Sequence, residues 1–190
     1  MNECRGATDV KRTADEYYVW LRQLLDHQGI NPAGIDGVVI SSTAAGTLFN
    51  LRILADKYFG KRPIIIGKPG VDIGIEAKVD PSTRVGADRL GNTVSAYRTY
   101  GPNLIVVDFG TATTFDIVGR EGDYEGGIIA PGVNLSLKAL QDAAAALPEI
   151  DVTMPDQVVG LNTVSCMQSG SYWCYVSLVV GLCRRICDER

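Results

Sequence analysis

Three carboxylates in this chain stand where chemistry is done. Asp88 lies in the run Val85, Gly86, Ala87, Asp88, Arg89, at the expected start of a helix. There the helix dipole favours the charged carboxylate. Asp108 ends an apolar run, residues 104–107, that reads as a buried strand. Gly110 and a set of small hydroxyl residues, Thr111, Thr113 and Thr114, follow it. Asp116 falls within the next short apolar run, residues 115–118. A turn of glycine and threonine lets backbone N–H groups and hydroxyls approach an anion, because glycine adds no side-chain bulk. A carboxylate beside such a turn implies a cation held between it and a phosphate-like ligand. Arg89 and the glycines of residues 126–132 (GGIIAPG) complete the set. These are the parts of a phosphoryl transferase. The Asp receives or orients a hydroxyl, the Arg holds an anionic substrate, and the turn and cation manage phosphate charge.

Each residue also has a plainer alternative. Asp88 caps its helix. Arg89 pairs with a surface carboxylate, Asp116 faces solvent, and the threonines only satisfy a hairpin turn. Gly126 with Gly127, and Pro131 with Gly132, are only turns. Gly91, Asn92 and Thr93 look like a phosphate turn but fall inside a predicted helix, so they are set aside. Trp20 and Trp173 read as core or interface residues.

The elements that must hold these residues follow in order. Thr13 and Glu16 form a capping box that opens a helix to about Gln28, stopped at Gly29. Val19, Trp20, Leu21, Leu24 and Leu25 supply its apolar side. Residues 37–40 read as a short buried strand. Residues 46–58 read as a helix with Leu48, Leu51, Leu54 and Ala55 inward. Residues 63–66 form another strand, and residues 67–80 a loop or edge strand. A helix follows over 85–98. After the strand pair, Ile128, Ile129 and Ala130 form a strand, and a helix runs over 134–146 until Pro148 stops it. The last helix starts near Asn162 and Thr163 and runs on to the end. Strands alternating with helices make an α/β chain. The turn cluster of residues 100–103 (YGPN) divides it into a first half, residues 1–102, and a second, residues 103–190.

Bulk properties narrow the class. At 190 residues and 46% hydrophobic the chain can bury a real core. Its net charge of −4 argues against a nucleic-acid binder. No apolar run approaches a membrane span, and no secretory signal is visible. The five cysteines, Cys4, Cys166, Cys174, Cys183 and Cys187, form no CxxC pair. With His27 the only histidine, they are expected as buried apolar residues in a reduced cytoplasmic protein rather than as zinc ligands.

Three segments carry a resemblance. VGADRLGNTVSAY, VVDFGTATTFDIV and EGGIIAPGV, in that order and spacing, closely resemble the type III pantothenate kinases. TDVKRTADEYYVWLRQLL near the start and GLNTVSCMQSGSYW near the end fit the same family, so the likeness covers about residues 8–182. It implies ATP-dependent phosphorylation of pantothenate to 4'-phosphopantothenate, the first step of coenzyme A synthesis. The implied fold is acetate kinase/sugar kinase/Hsp70/actin-like, with two ribonuclease-H-like halves around a cleft. It also implies a homodimer that uses Mg²⁺ and a monovalent cation, K⁺ or NH₄⁺. By motif match Asp88 falls on the general base, and Gly86, Ala87 and Arg89 on the pantothenate-binding segment. Asp108 falls on the monovalent-cation ligand. Gly110, Thr111 and Thr113 fall on the nucleotide-phosphate turn. Thr163 falls where a partner subunit's residue reaches the pantothenate site.

Departures accompany the likeness. The family's opening strand and D-x-G-N-T phosphate loop have no counterpart before the first helix, and its C-terminal glycine-rich segment has none after the last. Both halves are therefore expected to be incomplete, with an apolar strand edge uncovered in the first. Val79 stands where several members carry a pantothenate-contacting Tyr, and Cys174 and Ser177 where glycines are common. A catalytically inactive fragment or paralogue that binds pantothenate as a regulatory protein is the alternative expectation.

Overall fold

The computed structural model describes residues 3, 4, 6–144 and 146–190. It is a mixed α/β chain that divides into two compact units. The first comprises Met1–Gly101 with Glu121–Tyr124; the second comprises Pro102–Arg120 with Glu125–Arg190.

The first unit opens with helix α1 (Ala14–His27). Its capping box is formed: Glu16 N–H donates to Thr13 Oγ1 at 3.3 Å, and Thr13 N–H donates to Glu16 Oε2 at 2.7 Å. Strand β1 (Val39–Ile40), helix α2 (Ala45–Phe59) and strand β2 (Ile64–Ile65) make a βαβ unit with the two strands parallel. Ile40 and Ile65 are buried, whereas their neighbours Val39 and Ile64 are exposed, as the alternation of a pleated strand requires. Leu54 and Ala55 bury the inner face of α2. The two helices are joined by the Tyr18 ring stacked on Tyr58, centroids 3.8 Å apart. Asp15 accepts from Tyr58 Oη at 2.6 Å and from Lys57 Nζ at 2.8 Å. Val19, expected inward, is 60% exposed. At 3.6 residues per turn the half-buried residues Tyr17, Tyr18, Leu21, Leu24 and Leu25 form one stripe, and Val19 falls off it.

Helix α3 (Ala87–Tyr100) closes the unit and buries Ala87 and Thr93. The Glu121–Tyr124 segment packs here too. Tyr124 N–H donates to the Glu76 carbonyl and Lys78 N–H donates to the Tyr124 carbonyl, each at 2.8 Å. Gly122 has φ +83°, and a Cβ there would lie 2.4 Å from the Tyr97 ring, so both conformation and space require glycine. Asp123 is almost wholly buried, with Lys78 Nζ 3.1 Å from its Oδ2.

In the second unit, β3 (Leu104–Phe109) and β4 (Ala112–Val118) pair antiparallel, and β5 (Tyr124–Pro131) lies on the other side of β4. Gly126 and Gly127, expected to precede the strand, lie inside it. Gly126 takes φ +101° there. Helix α4 (Val133–Ala143) and the 27-residue α5 (Thr163–Glu189) pack together. Asn162 caps α5 by accepting from Ser165 N–H at 2.9 Å. Phe115, Val118, Leu137 and Met167 are the buried apolar residues of this unit. The cysteines depart from expectation. Cys4, Cys166, Cys174 and Cys187 are exposed and Cys183 is half-buried; Cys166 and Cys174 line the open pocket beside α4 rather than a closed core. Among the described residues no helix is long and apolar enough to cross a membrane.

Burial alone pushes the Asp123 carboxyl up, but the Lys78 ammonium together with the backbone N–H groups of Asp123 and Glu121 outweighs it and holds the group below its ordinary value. Asp123 in turn holds Lys78 above its own ordinary value. The pair's contribution is therefore present from the carboxylate range to the lysine range. It is lost as pH falls through the lowered Asp123 value or rises through the raised Lys78 value. Lys78→Met should destabilise the protein at neutral pH, because it leaves the buried Asp123 carboxylate without its ammonium. Urea unfolding across pH checks this. The gap from the parent should narrow as acid protonates Asp123.

Candidate active site

The candidate side chains fall into two groups, one in each unit. In the first unit they gather at the start of α3. Gly86 is the N-cap and makes no side-chain cap bond, so the first N–H groups of the helix are left for other acceptors. Asp88 is in the first turn, not at the cap, and its carboxylate is exposed. Its Oδ1 accepts from Arg89 N–H at 2.9 Å, which fixes that oxygen. A Cβ on Gly86 would come within 2.5 Å of that Oδ1. Glycine at this position is therefore what lets the carboxylate sit where it does. Ala87 is buried against the unit and contributes backbone only. Arg89 is half-buried, its guanidinium carbon 5.5 Å from the centre of the Tyr124 ring. Gly86, Ala87, Asp88 and Arg89 are thus brought together on one helical turn.

In the second unit the candidate residues gather at the end of the β3–β4 hairpin. Asp108 is exposed at the strand end and stands directly opposite Thr114. Gly110 and Thr111 make the turn, with Gly110 N–H donating to the Ala112 carbonyl at 2.9 Å. Gly132, at the start of α4, presses on that turn. Its N–H donates to the Thr111 carbonyl at 2.9 Å, and a Cβ would lie 2.3 Å from the Gly110 oxygen. Gly132 is therefore a close-approach glycine, not only a turn residue. Thr113 does not belong to the turn. It is inside β4, opposite Phe109, and fully buried. Thr114 and Asp116 lie on the Asp108 face of the hairpin, and Thr114 Oγ1 donates to Asp116 Oδ2 at 3.3 Å. Asp116 is fully buried, so the solvent-facing alternative does not hold. Thr163 stands on another element, as the first residue of α5, and is exposed. It lines an apolar cavity of about 910 Å³ between α4 and α5, with Leu137, Leu140, Leu161, Met167 and Tyr175.

Sequence reasoning missed Lys78, Asp123 and Tyr124. The signal that marks them is a Gly-Asp-Tyr run between two strands, where an aromatic residue follows the turn glycine. Its importance depends on pairing with residues 76–78, which local pattern does not reveal.

Each group by itself has parts that suit group transfer to a hydroxyl: in the first unit an exposed carboxylate beside a guanidinium, in the second a backbone turn beside a carboxylate. The model of the type III pantothenate kinase family matches residues 1–185 of this chain. A type III pantothenate kinase of Dinoroseobacter shibae is 57% identical over 186 residues, covering 98% of this chain and 72% of the relative. One from Cereibacter sphaeroides is also 57% identical, with the same coverage. One from Paracoccus denitrificans is 54% identical, covering 98% of this chain and 71% of the relative. The chain belongs to the type III pantothenate kinase family.

Gly132→Ala should displace the Gly110 and Thr111 turn and destabilise the protein by about 1–3 kcal/mol. Urea unfolding gives the energy, and the amide NMR shifts of Gly110 and Thr111 report the displacement. Unmoved shifts would mean that the turn is not held by this contact.

Proposed function

We propose that this chain transfers phosphate from ATP to the 4'-hydroxyl of pantothenate, the step that opens coenzyme A synthesis. The observation that carries the reading is the family match over residues 1–185, with the G-A-D-R segment intact on the first turn of α3. Asp88 is the general base. Its exposed carboxylate orients the hydroxyl and takes its proton as the bond to phosphorus forms. A loose phosphoryl-transfer transition state asks more for positioning than for a strong base, so a carboxylate suffices. Arg89 binds the pantothenate carboxylate, since a guanidinium fork matches a carboxylate in geometry and charge. Gly86 and Ala87 let the substrate approach the helix start. Gly110 and Thr111 offer N–H and hydroxyl donors to the nucleotide phosphates. Thr113, buried in β4, supports that turn through packing.

Asp108 fits a monovalent cation. It offers a carboxylate oxygen at an exposed strand end, and oxygen donors suit a hard cation. K⁺ or NH₄⁺ would sit at Asp108, and Mg²⁺ would accompany the nucleotide phosphates. When bound, these cations supply positive charge that offsets phosphate repulsion.

The two compact units correspond in this reading to the ribonuclease-H-like halves of an acetate kinase/sugar kinase/Hsp70/actin-like fold. A homodimer is supported by exposed apolar residues on and beside α4 and α5, namely Leu135, Leu140, Leu161, Val164 and Val180. Thr163 then serves the partner's pantothenate site. Five free cysteines fit a reducing cytoplasm.

The test is ATP-dependent phosphorylation of pantothenate with Mg²⁺ and K⁺ present. Asp88→Asn should lower turnover by about 10²–10⁴-fold while pantothenate binding persists. Undiminished turnover in Asp88→Asn would remove Asp88 from the chemistry. Binding of pantothenate by the parent without any transfer would point to a regulatory protein instead.

A further inference from the structure

The first unit holds a cavity of about 810 Å³ that none of the candidate site residues lines. Its walls are helix α2, strand β2 and the segment of residues 68–71 that follows. Three cations line it: Arg52 of α2, Arg62 just before β2, and Lys68 beyond its end. One carboxylate, Asp56, lines it too, so three positive charges face one negative. All four side chains are exposed, and among the described residues none of them forms an ion pair or a side-chain hydrogen bond. This local excess of two positive charges stands in a chain whose net charge is −4. A single cation on a surface is an ordinary solvated group. Three that border one concavity repel one another, and an anion that enters relieves the repulsion.

The charged lining is joined to an apolar one. Ile64 of β2 is 54% exposed, whereas its neighbour Ile65 is buried. With Ile53 and Pro69 it gives the cavity an apolar wall. Small-molecule sites combine such walls with a few placed polar groups, and this cavity is of their usual size. Guanidinium forks match phosphate oxygens in geometry and stay charged, and an ammonium adds a point charge. We infer that this cavity is a binding site for a small organic phosphate, with the phosphate at Arg52, Arg62 and Lys68 and the apolar body against Ile53, Ile64 and Pro69. A nucleic acid strand would use the cations and leave the apolar wall idle. The inference does not depend on the roles given to Asp88 and Arg89.

The test titrates n-hexyl phosphate, inorganic phosphate and 1-hexanol into the full chain, followed by backbone amide NMR. Hexyl phosphate should move the amides of residues 52, 53, 64, 65 and 68 saturably, and should bind more tightly than either part alone. Arg52→Gln and Arg62→Gln should each weaken it roughly 2- to 10-fold, as loss of one exposed charge-assisted contact does. Asp56→Asn removes the opposing charge and should tighten binding. All three positions are exposed, so the fold should persist, and urea unfolding of each variant checks this. Saturable shifts confined to other elements would overturn the site. Affinity unchanged in both arginine variants, or weakened in Asp56→Asn, would overturn the role of the charges. Inorganic phosphate bound as tightly as hexyl phosphate would overturn the ligand class, and so would a short oligonucleotide bound in preference to it.

Discussion

The burial of residues 122–124 within the first unit is the constraint on which the candidate substrate site depends. A buried carboxylate, Asp123, is tolerable because Lys78 and backbone N–H groups reach it. That pair and the two backbone bonds to Glu76 and Lys78 fix Tyr124. Tyr124 in turn lies under Arg89, the residue beside Asp88 on the first turn of α3. A segment between two strands is thus tied by specific contacts to the helix start that carries Asp88 and Arg89.

Close approach is the second recurring device. Gly86 makes room for the Asp88 carboxylate, Gly122 for the Tyr97 ring, and Gly132 for the carbonyls of Gly110 and Thr111. In each case a single methyl group would meet an atom closer than any ordinary contact. The glycines of the chemical segments therefore set where polar groups sit. They do so by leaving out side-chain volume, not by lending flexibility. The two oxygen-rich turns that result differ in kind. One is a helix start with an exposed carboxylate, the other a hairpin end backed by a second helix.

Much of this was legible in the residues alone. The Thr13 and Glu16 capping box, the α3 start at Gly86, and the apolar runs of β3 and β4 are local signals, and local signals survive into the fold. The G-A-D-R and D-F-G-T segments stood out as candidates because unusual residue types were set close together. What was not legible depended on distant partners or on residues with two natures. Gly126 and Gly127 read as punctuation yet lie within β5, where pairing with β4 overrides the local preference. Threonine is both a hydroxyl and a β-branched core residue, and only the register shows that Thr113 is spent on the core. Asp116 gave no sign of its burial. Tyr124 acquires its place only by pairing with residues 76–78, whose glycine-broken pattern suggested no partner.

Hydrogen exchange of this chain with and without pantothenate tests the central claim most directly. The claim is that the α3 start, seated on Tyr124, is where pantothenate binds. Saturating pantothenate, in the absence of nucleotide, should slow exchange in the first turn of α3 and at the Lys78 and Tyr124 amides. Slowed exchange confined to other elements, with these amides unchanged, would contradict the account.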